Sequence, residues 1–215
     1  MSKILLVGKN GAGKDTLLNK FIKGKEDQYR IVAMSSLLSK VKETNSELWN
    51  KIDLLMKAGD LVPDDIILDI IKKELKNETR SIIFNGFPRT EAQAEAMIMY
   101  DLKPDVIVEI YLPDQLVIQR AAERCVCSKC RKSYTVAGGY NPPKQEGICD
   151  DCNAPLVKRP DDEESVVRKR LDKYRMETYP IIHHMKRLGA SLYIIDNSED
   201  NDDAQNRFNE IMNMF

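Results

Sequence analysis

The chain has 215 residues, with Lys plus Arg at 33, Asp plus Glu at 34 and a formal net charge of −1. That length suits one sizeable domain with an insertion, and the charge balance excludes a nucleic-acid binder held by bulk charge. No apolar run reaches the roughly 18 residues of a membrane span, and the stretch before the first glycine is too short for a signal peptide, so a soluble, cytoplasmic protein is expected. All five cysteines fall between 125 and 152, unlike a disulfide framework spread over a chain.

Residues 3–7 read as a short strand whose apolar run, Ile4-Leu5-Leu6-Val7, is of the type buried in a parallel sheet. Gly8-Lys9-Asn10-Gly11-Ala12-Gly13-Lys14-Asp15-Thr16 follows, and the apolar spacing of Leu17 to Ile22 predicts a helix from about Lys14 to Lys23. Strand, glycine loop and helix in this order make a polyphosphate cradle. The glycines turn backbone N–H groups inward, the helix start adds a positive dipole end, and Lys14 adds a full charge. Directly after the lysine, where Ser or Thr usually helps hold magnesium, stands Asp15, with Thr16 next. A carboxylate beside phosphates repels them unless a metal or cation intervenes. The other reading is a helix N-terminal carboxylate that contributes about 0.3–1 kcal/mol to the helix.

Tyr29 to Met34 is a second strand. Ser35 or Ser36 caps a helix through about Val41, and another helix spans Ser46 to Ala58 and stops at Gly59. Pro63 opens a helix with Asp64 and Asp65 in its first turn and Ile66, Ile67, Ile70 and Ile71 on one face. Ser81 to Phe84 is a third strand, ending at Asn85-Gly86-Phe87-Pro88-Arg89-Thr90, before a helix from Glu91 to Tyr100. Asp105 to Leu112 is a fourth strand, and Pro113 to about Cys125 a helix carrying Arg120 and Arg124 on one face. Asp161 to Leu188 reads as a long charged helix with a kink at Pro180; Ser191 to Asp196 is a fifth strand and Asp202 to Met214 a last helix. The alternation predicts an α/β, doubly wound, five-stranded parallel sheet, with ligands at the carboxyl ends of its strands. The glycine loop, Asn85–Arg89 and Asp196–Asn197 all lie at such ends.

Residues 125–160 break this pattern. Cys127, Cys130, Cys149 and Cys152 form two C-x-x-C pairs at the spacing of a tetrahedral structural zinc site. Four thiolates leave no open position, so such a metal holds structure and does no chemistry. Cys125, at the end of the predicted helix, reads as a buried small hydrophobe. Arg89, Arg120, Arg124, Arg159, Arg168 and Arg170 recur near the predicted site edges, and guanidinium forks bind phosphate oxygens bidentately.

These residues resemble the adenylate kinase family of nucleoside monophosphate kinases over essentially the whole chain. The motifs are Gly8-x-x-Gly11-x-Gly13-Lys14-x-Thr16, Gly59-Asp60-Leu61-Val62-Pro63-Asp64, Gly86-Phe87-Pro88-Arg89-Thr90 with Gln93, and Arg120-x-x-x-Arg124. Tyr140-Asn141-Pro142-Pro143-Lys144, Arg159-x-Asp161-Asp162 and Val167-Arg168-Lys169-Arg170-Leu171 continue them. The resemblance implies a P-loop core (1–33, 64–124 and 161–215), a helical segment binding the monophosphate (34–63) and a zinc-ribbon-like lid (125–160). It implies magnesium-dependent transfer from ATP to AMP by a monomer, with no nucleic-acid or membrane partner.

The same resemblance assigns roles. Gly11, Ala12, Gly13, Lys14, Asp15, Thr16, Arg120 and Arg124 hold ATP. Leu38, Met56, Val62, Gly86, Arg89 and Gln93 hold the acceptor. Lys14, Arg89, Arg124, Arg159 and Arg170 surround the transferring group, and Asp15, Thr16 and Asn85 serve magnesium directly or through water. Three departures stand against it. Met34, Ser36 and Ser39 replace a threonine, an aspartate and the acceptor-clamping arginine; Asn85 replaces an aspartate; and Asp15 replaces a glycine. Hence kinases for other (deoxy)nucleoside monophosphates and a degenerate nucleotide-binding pseudoenzyme remain alternatives, and a nucleic-acid-binding zinc ribbon is a weaker third.

Overall fold

The computed structural model describes residues 1–215 apart from 59, 61, 76, 136–140, 200 and 201, and apart from the side chains of 35, 36, 39, 40 and 42. The predicted parallel sheet is present. It consists of β1 (Lys3–Val7), β2 (Tyr29–Ala33), β3 (Ser81–Asn85), β4 (Val106–Tyr111) and, after three short strands of the insert (β5, Arg124–Cys127; β6, Ser133–Thr135; β7, Leu156–Val157), β8 (Ser191–Asp196). Its order is β2-β3-β1-β4-β8, all parallel. β1 is central: the next two strands lie on one side of it and the later two on the other. The loop after β1 therefore sits at the point where the winding reverses, where doubly wound sheets bind ligands.

Helices cover both faces: α1 (Lys14–Ile22), α2 (Met34–Thr44), α3 (Ser46–Ala58), α4 (Asp64–Glu74), α5 (Glu91–Met99), α6 (Asp114–Glu123), α7 (Glu164–Lys173), α8 (Tyr179–Arg187) and α9 (Asp203–Met212). The alternation of β1 divides the core. Ile4 and Leu6 pack with Leu17, Leu18 and Phe21 of α1 and Phe208, Ile211 and Met212 of α9. Leu5 and Val7 face Ile67 and Ile71 of α4, Met97 of α5 and Met185 of α8. Truncating a fully buried Leu5 to Ala would cost about 2–5 kcal/mol. No helix among the described residues is long and apolar enough to cross a membrane.

Three elements differ from the sequence reading. The helix after β4 ends at Glu123, and Arg124, with ψ 136°, opens β5. Arg120 and Arg124 therefore do not share a helix face. Cys125 is buried as expected, but in β5 opposite Tyr134, where strand pairing overrides the modest helix propensity of Arg-Cys-Val-Cys. The insert carries a small antiparallel sheet, β6-β5-β7. The long charged helix is segmented into a 3₁₀ turn (Pro160–Asp162), α7, one π turn (Tyr174–Thr178) and α8. Pro180 lies in the first turn of α8, and the wide turn, closed by Tyr179 N–H to Tyr174 O, comes just before it, so the chain continues where an ordinary helical register would break.

Candidate active site

The loop from Gly8 to Lys14 takes a shape that only glycine permits at two points. Gly8 has φ 143°, and a Cβ there would lie 2.5 Å from the Ile110 carbonyl oxygen. Gly13 has φ 94°, and its Cβ would lie 2.4 Å from Asn197 Nδ2. Asn197 is fully buried at the end of β8 and donates to Ala12 O at 2.8 Å. The far edge strand thus pins the loop. Lys9 fixes its other side, donating to Leu112 O at 2.7 Å and pairing with Asp114 at 2.7 Å.

Lys14 curls beneath the loop and donates to Gly8 O (2.6 Å) and Lys9 O (2.9 Å). Burial pulls its ammonium down from 10.5 to about 8; the charge of Asp15 opposes this, and those of Arg89 and Arg124 add to it. Arg89 is lowered by burial and by the charge of Arg170, against the pull of Asp15. Arg159 also feels Asp15. Lys14, Arg89 and Arg159 thus share the field of Asp15, with Arg124 within electrostatic reach of Lys14 and Arg170 of Arg89. They come from α1, the turn after β3, β5, the end of the insert and α7.

Two adjacent aspartates hold three of these arginines. Asp162 accepts from Arg124 through both oxygens, with Nε at 2.8 Å. Asp161 accepts from Arg159 Nε (2.9 Å) and Arg170 Nη1 (2.7 Å). Burial raises the Asp161 carboxyl, but the bond to Arg159 and the charges of Arg159 and Arg170 outweigh it and bring it to about 2. Arg170 also reaches Met56 O at 3.1 Å, tying α7 to α3. Arg120 donates to Asn197 O at 2.8 Å. Arg168, by contrast, forms a surface pair with Glu164 on α7 and stands apart from the cluster.

Asn85 Nδ2 donates to Asp15 Oδ1 at 2.6 Å. The carboxylate that the loop gained and the amide at the end of β3 thus form one pair. Thr16 is half-buried next to it. The turn after β3 folds on itself: Gly86 has φ 80°, Phe87–Pro88 is cis, and Arg89 Nε donates to Gly86 O at 2.8 Å. Gln93 is 3 % exposed, and its Oε1 accepts from Arg89 N at 2.8 Å. Leu38 and Val62 are buried with Met34 and Phe87 in the core on that side, with Met56 packed against them. The side chains of Ser36 and Ser39 lie outside the described ones, and Gly59, Leu61 and Tyr140 lie outside the described residues altogether.

Cys127, Cys130, Cys149 and Cys152 bring their Sγ atoms within 4.8 Å of one another. A tetrahedral ion with sulfur at about 2.3 Å separates its ligands by about 3.8 Å. The observed 3.3 Å for Cys127–Cys152 and 3.5 Å for Cys130–Cys149 suit such a group. Lys129 N and Cys130 N both donate to Cys127 Sγ at 3.3 Å. The Tyr134 hydroxyl lies 3.3 Å from Cys149 Sγ and leads the contacts that lower that thiol to about 6, toward the thiolate a metal needs.

Sequence reading gave no role to Asp161, Asp162 or the Asn197 amide. The first two stand in the sequence only as members of the Arg159-x-Asp161-Asp162 motif, and that adjacency to Arg159 is their signal. Asn197 was placed at a strand end, but nothing in its neighbours marks the tie to Ala12.

A glycine loop at the reversal point of a five-stranded parallel sheet, with arginines converging from four other parts of the chain, is the architecture of an ATP-dependent nucleoside monophosphate kinase. A model of the adenylate kinase family matches residues 6–190, and the chain belongs to that family. An adenylate kinase of Caldicellulosiruptor saccharolyticus is 35% identical over 92% of this chain and 93% of its own. One of Mesoplasma florum is 33% identical over 97% and 98%, and one of Acetivibrio thermocellus 37% over 89% and 89%.

Proposed function

We propose that this chain transfers the γ-phosphoryl group of ATP reversibly to AMP, giving two ADP. The observation that carries this is the convergence of Lys14, Arg89, Arg124, Arg159 and Arg170 around the loop. Phosphoryl transfer needs little covalent chemistry from protein, and positioning with neutralisation of the equatorial oxygens supplies most of the rate. Gly11, Ala12, Gly13, Asp15 and Thr16 line the donor phosphates, with Lys14 turning from the loop carbonyls to the phosphate oxygens. Arg120 lies under the donor base. Leu38, Met56, Val62, Gly86, Arg89 and Gln93 take the acceptor, whose own phosphate oxygen is the nucleophile. Residues 34–63 act as the acceptor-binding segment and 125–160 as a lid that excludes water.

Asp15, Thr16 and Asn85 offer a carboxylate, a hydroxyl and an amide, the oxygen donors that magnesium or its water shell prefers. Bound there, the ion would neutralise charge between the phosphates. The four thiols would take zinc, which would hold the insert and do no chemistry. The same reading makes the chain a cytoplasmic monomer.

The test is ADP production from Mg-ATP with AMP, CMP, UMP, GMP and their deoxy forms, on protein of measured zinc content. Fast turnover selective for AMP is expected. Fast turnover with another acceptor alone, or tight ATP binding without turnover, would overturn the proposal.

A further inference from the structure

Gln93 has a side-chain amide whose orientation is forced by its neighbours. Its Oε1 accepts from the backbone N–H of Arg89 at 2.8 Å. Its Nε2 donates to Asp64 Oδ1 at 2.5 Å. A backbone N–H can only donate and a carboxylate can only accept, so a flipped amide would face donor with donor and acceptor with acceptor. The second oxygen of Asp64 is also engaged, accepting from Thr90 Oγ1 at 3.0 Å. Thr90 Oγ1 in turn accepts from Gln93 N at 3.2 Å and caps α5. Asp64 is the first residue of α4, and Gln93 is 3 % exposed.

We infer that Asp64 is a positioning residue that fixes the polarity of the Gln93 amide and thereby makes the acceptor site select a 6-aminopurine over a 6-oxopurine. This rests on the reading that Gln93 meets the acceptor base. With one N–H given to Asp64 and one lone pair to Arg89, the amide keeps one donor and one acceptor. Adenine presents a 6-amino donor beside a ring-nitrogen acceptor, and guanine presents the reverse, a 6-oxo acceptor beside an N–H donor. A freely flipping amide would satisfy both bases. A locked amide satisfies one and leaves the other with two unpaired buried groups, the situation in which binding sites discriminate most strongly.

A plain staple between α4 and α5 would use the same bonds, so the test needs a readout that a staple would not move. Asp64→Asn keeps the shape but can turn either an amide or a carbonyl toward Gln93, so only the Arg89 N–H still opposes a flip and the lock loses one of its two ends. The ratio of kcat/KM for AMP to that for GMP should fall about tenfold or more, through the acceptor KM, with the ATP KM unchanged. Asp64→Ser, which removes both carboxylate oxygens, is a second variant with the same expected loss. Thermal unfolding is recorded for each. An unchanged AMP:GMP ratio with a lowered Tm means a staple and overturns the lock. Gln93→Leu separates the underlying reading: it should raise the AMP KM and collapse the ratio. If it leaves the AMP KM unchanged, the base-contact reading fails. If it collapses the ratio while Asp64→Asn retains it, that reading stands and the lock alone is refuted.

Discussion

Asp15 and Asn85 are the pair most open to experiment, because two explanations of Asp15 predict different observables. As a helix N-terminal carboxylate it contributes about 0.3–1 kcal/mol to α1 and nothing to the reaction. As the acidic group of the metal shell it contributes to the rate. Asp15→Gly removes the carboxylate and also places a glycine in the first turn of a nine-residue helix. Together the lost dipole interaction and the glycine cost about 1 kcal/mol of stability, or about 2–4 °C in Tm for a chain of this size. Removing a charged hydrogen-bonding group from the site adds about 1.5–3 kcal/mol to the barrier, a ten- to hundredfold fall in kcat/KM. The 2.6 Å bond from Asn85 to Asp15 puts both side chains at one spot, so a carboxylate moved to the end of β3 should serve in its stead. Asp15→Gly with Asn85→Asp should therefore recover most of the activity at saturating Mg-ATP, while the Tm loss persists. The assay is steady-state ADP formation over a magnesium titration, with Tm measured in parallel. If Asp15→Gly lowers Tm but leaves the magnesium-dependent rate intact or raises it, the metal role is wrong and the dipole reading stands.

Lys14 titrates near 8 before nucleotide arrives, and phosphate needs its ammonium form, so ATP affinity should fall about tenfold per pH unit above 8. Calorimetry in buffers of different ionisation enthalpy should show proton uptake that Lys14→Met abolishes. The sign for stability is opposite: between pH 8 and 10.5 the unfolded chain holds the extra proton, so this group makes the nucleotide-free fold more stable as pH rises. Asp161, held at about 2, contributes stability that is complete above its unfolded value of 3.8 and lost as pH falls toward 2. Asp161→Asn should flatten the acid limb of a Tm-versus-pH curve and, by releasing Arg159 and Arg170, lower kcat about tenfold or more. Asn197→Ala removes the tie to Ala12 and should raise the ATP KM more than the AMP KM in initial-rate kinetics. If the four thiols hold a metal as proposed, a chelator should melt the insert first, because its core among the described residues is little more than Cys127, Tyr134 and Cys149; the ATP KM should rise, and near-ultraviolet dichroism from Tyr134 should be lost.

The sheet was legible because its buried strands are nearly unbroken apolar runs, a pattern that parallel pairing with helices on both faces imposes. The glycine loop was legible because its backbone must turn back on Ile110 and Asn197 at distances where no Cβ fits. The insert was legible in its four cysteines and illegible in its strands, since β6 and β7 are three and two residues long and are held by pairing with β5. Arg124 was misassigned for a related reason. The periodicity of α6 runs on to it, and only pairing with Thr135 across the small sheet shows that the helix has already ended.

What local reading could not supply is the pairing of charges. Asp161 and Asp162 next to Arg159 look like any solvated stretch, yet both are buried and each faces a different arginine set. Their geometry also bears on how five cations can share one site. Unpaired, Lys14, Arg89, Arg124, Arg159 and Arg170 would repel one another in a half-buried cleft; burial first, and then the neighbouring arginine charges, lower the pKa values of Lys14 and Arg89. The three arginines that approach from β5, the end of the insert and α7 each have a carboxylate, which fixes the fork and leaves other N–H groups free for phosphate oxygens. Among the described residues, Lys14 and Arg89 have only backbone oxygens and the shared field of Asp15. Negative charge brought in by a nucleotide therefore relieves those two most. The asymmetry predicts that Lys14 and Arg89 dominate the binding of phosphate while the aspartate-held arginines dominate the rate.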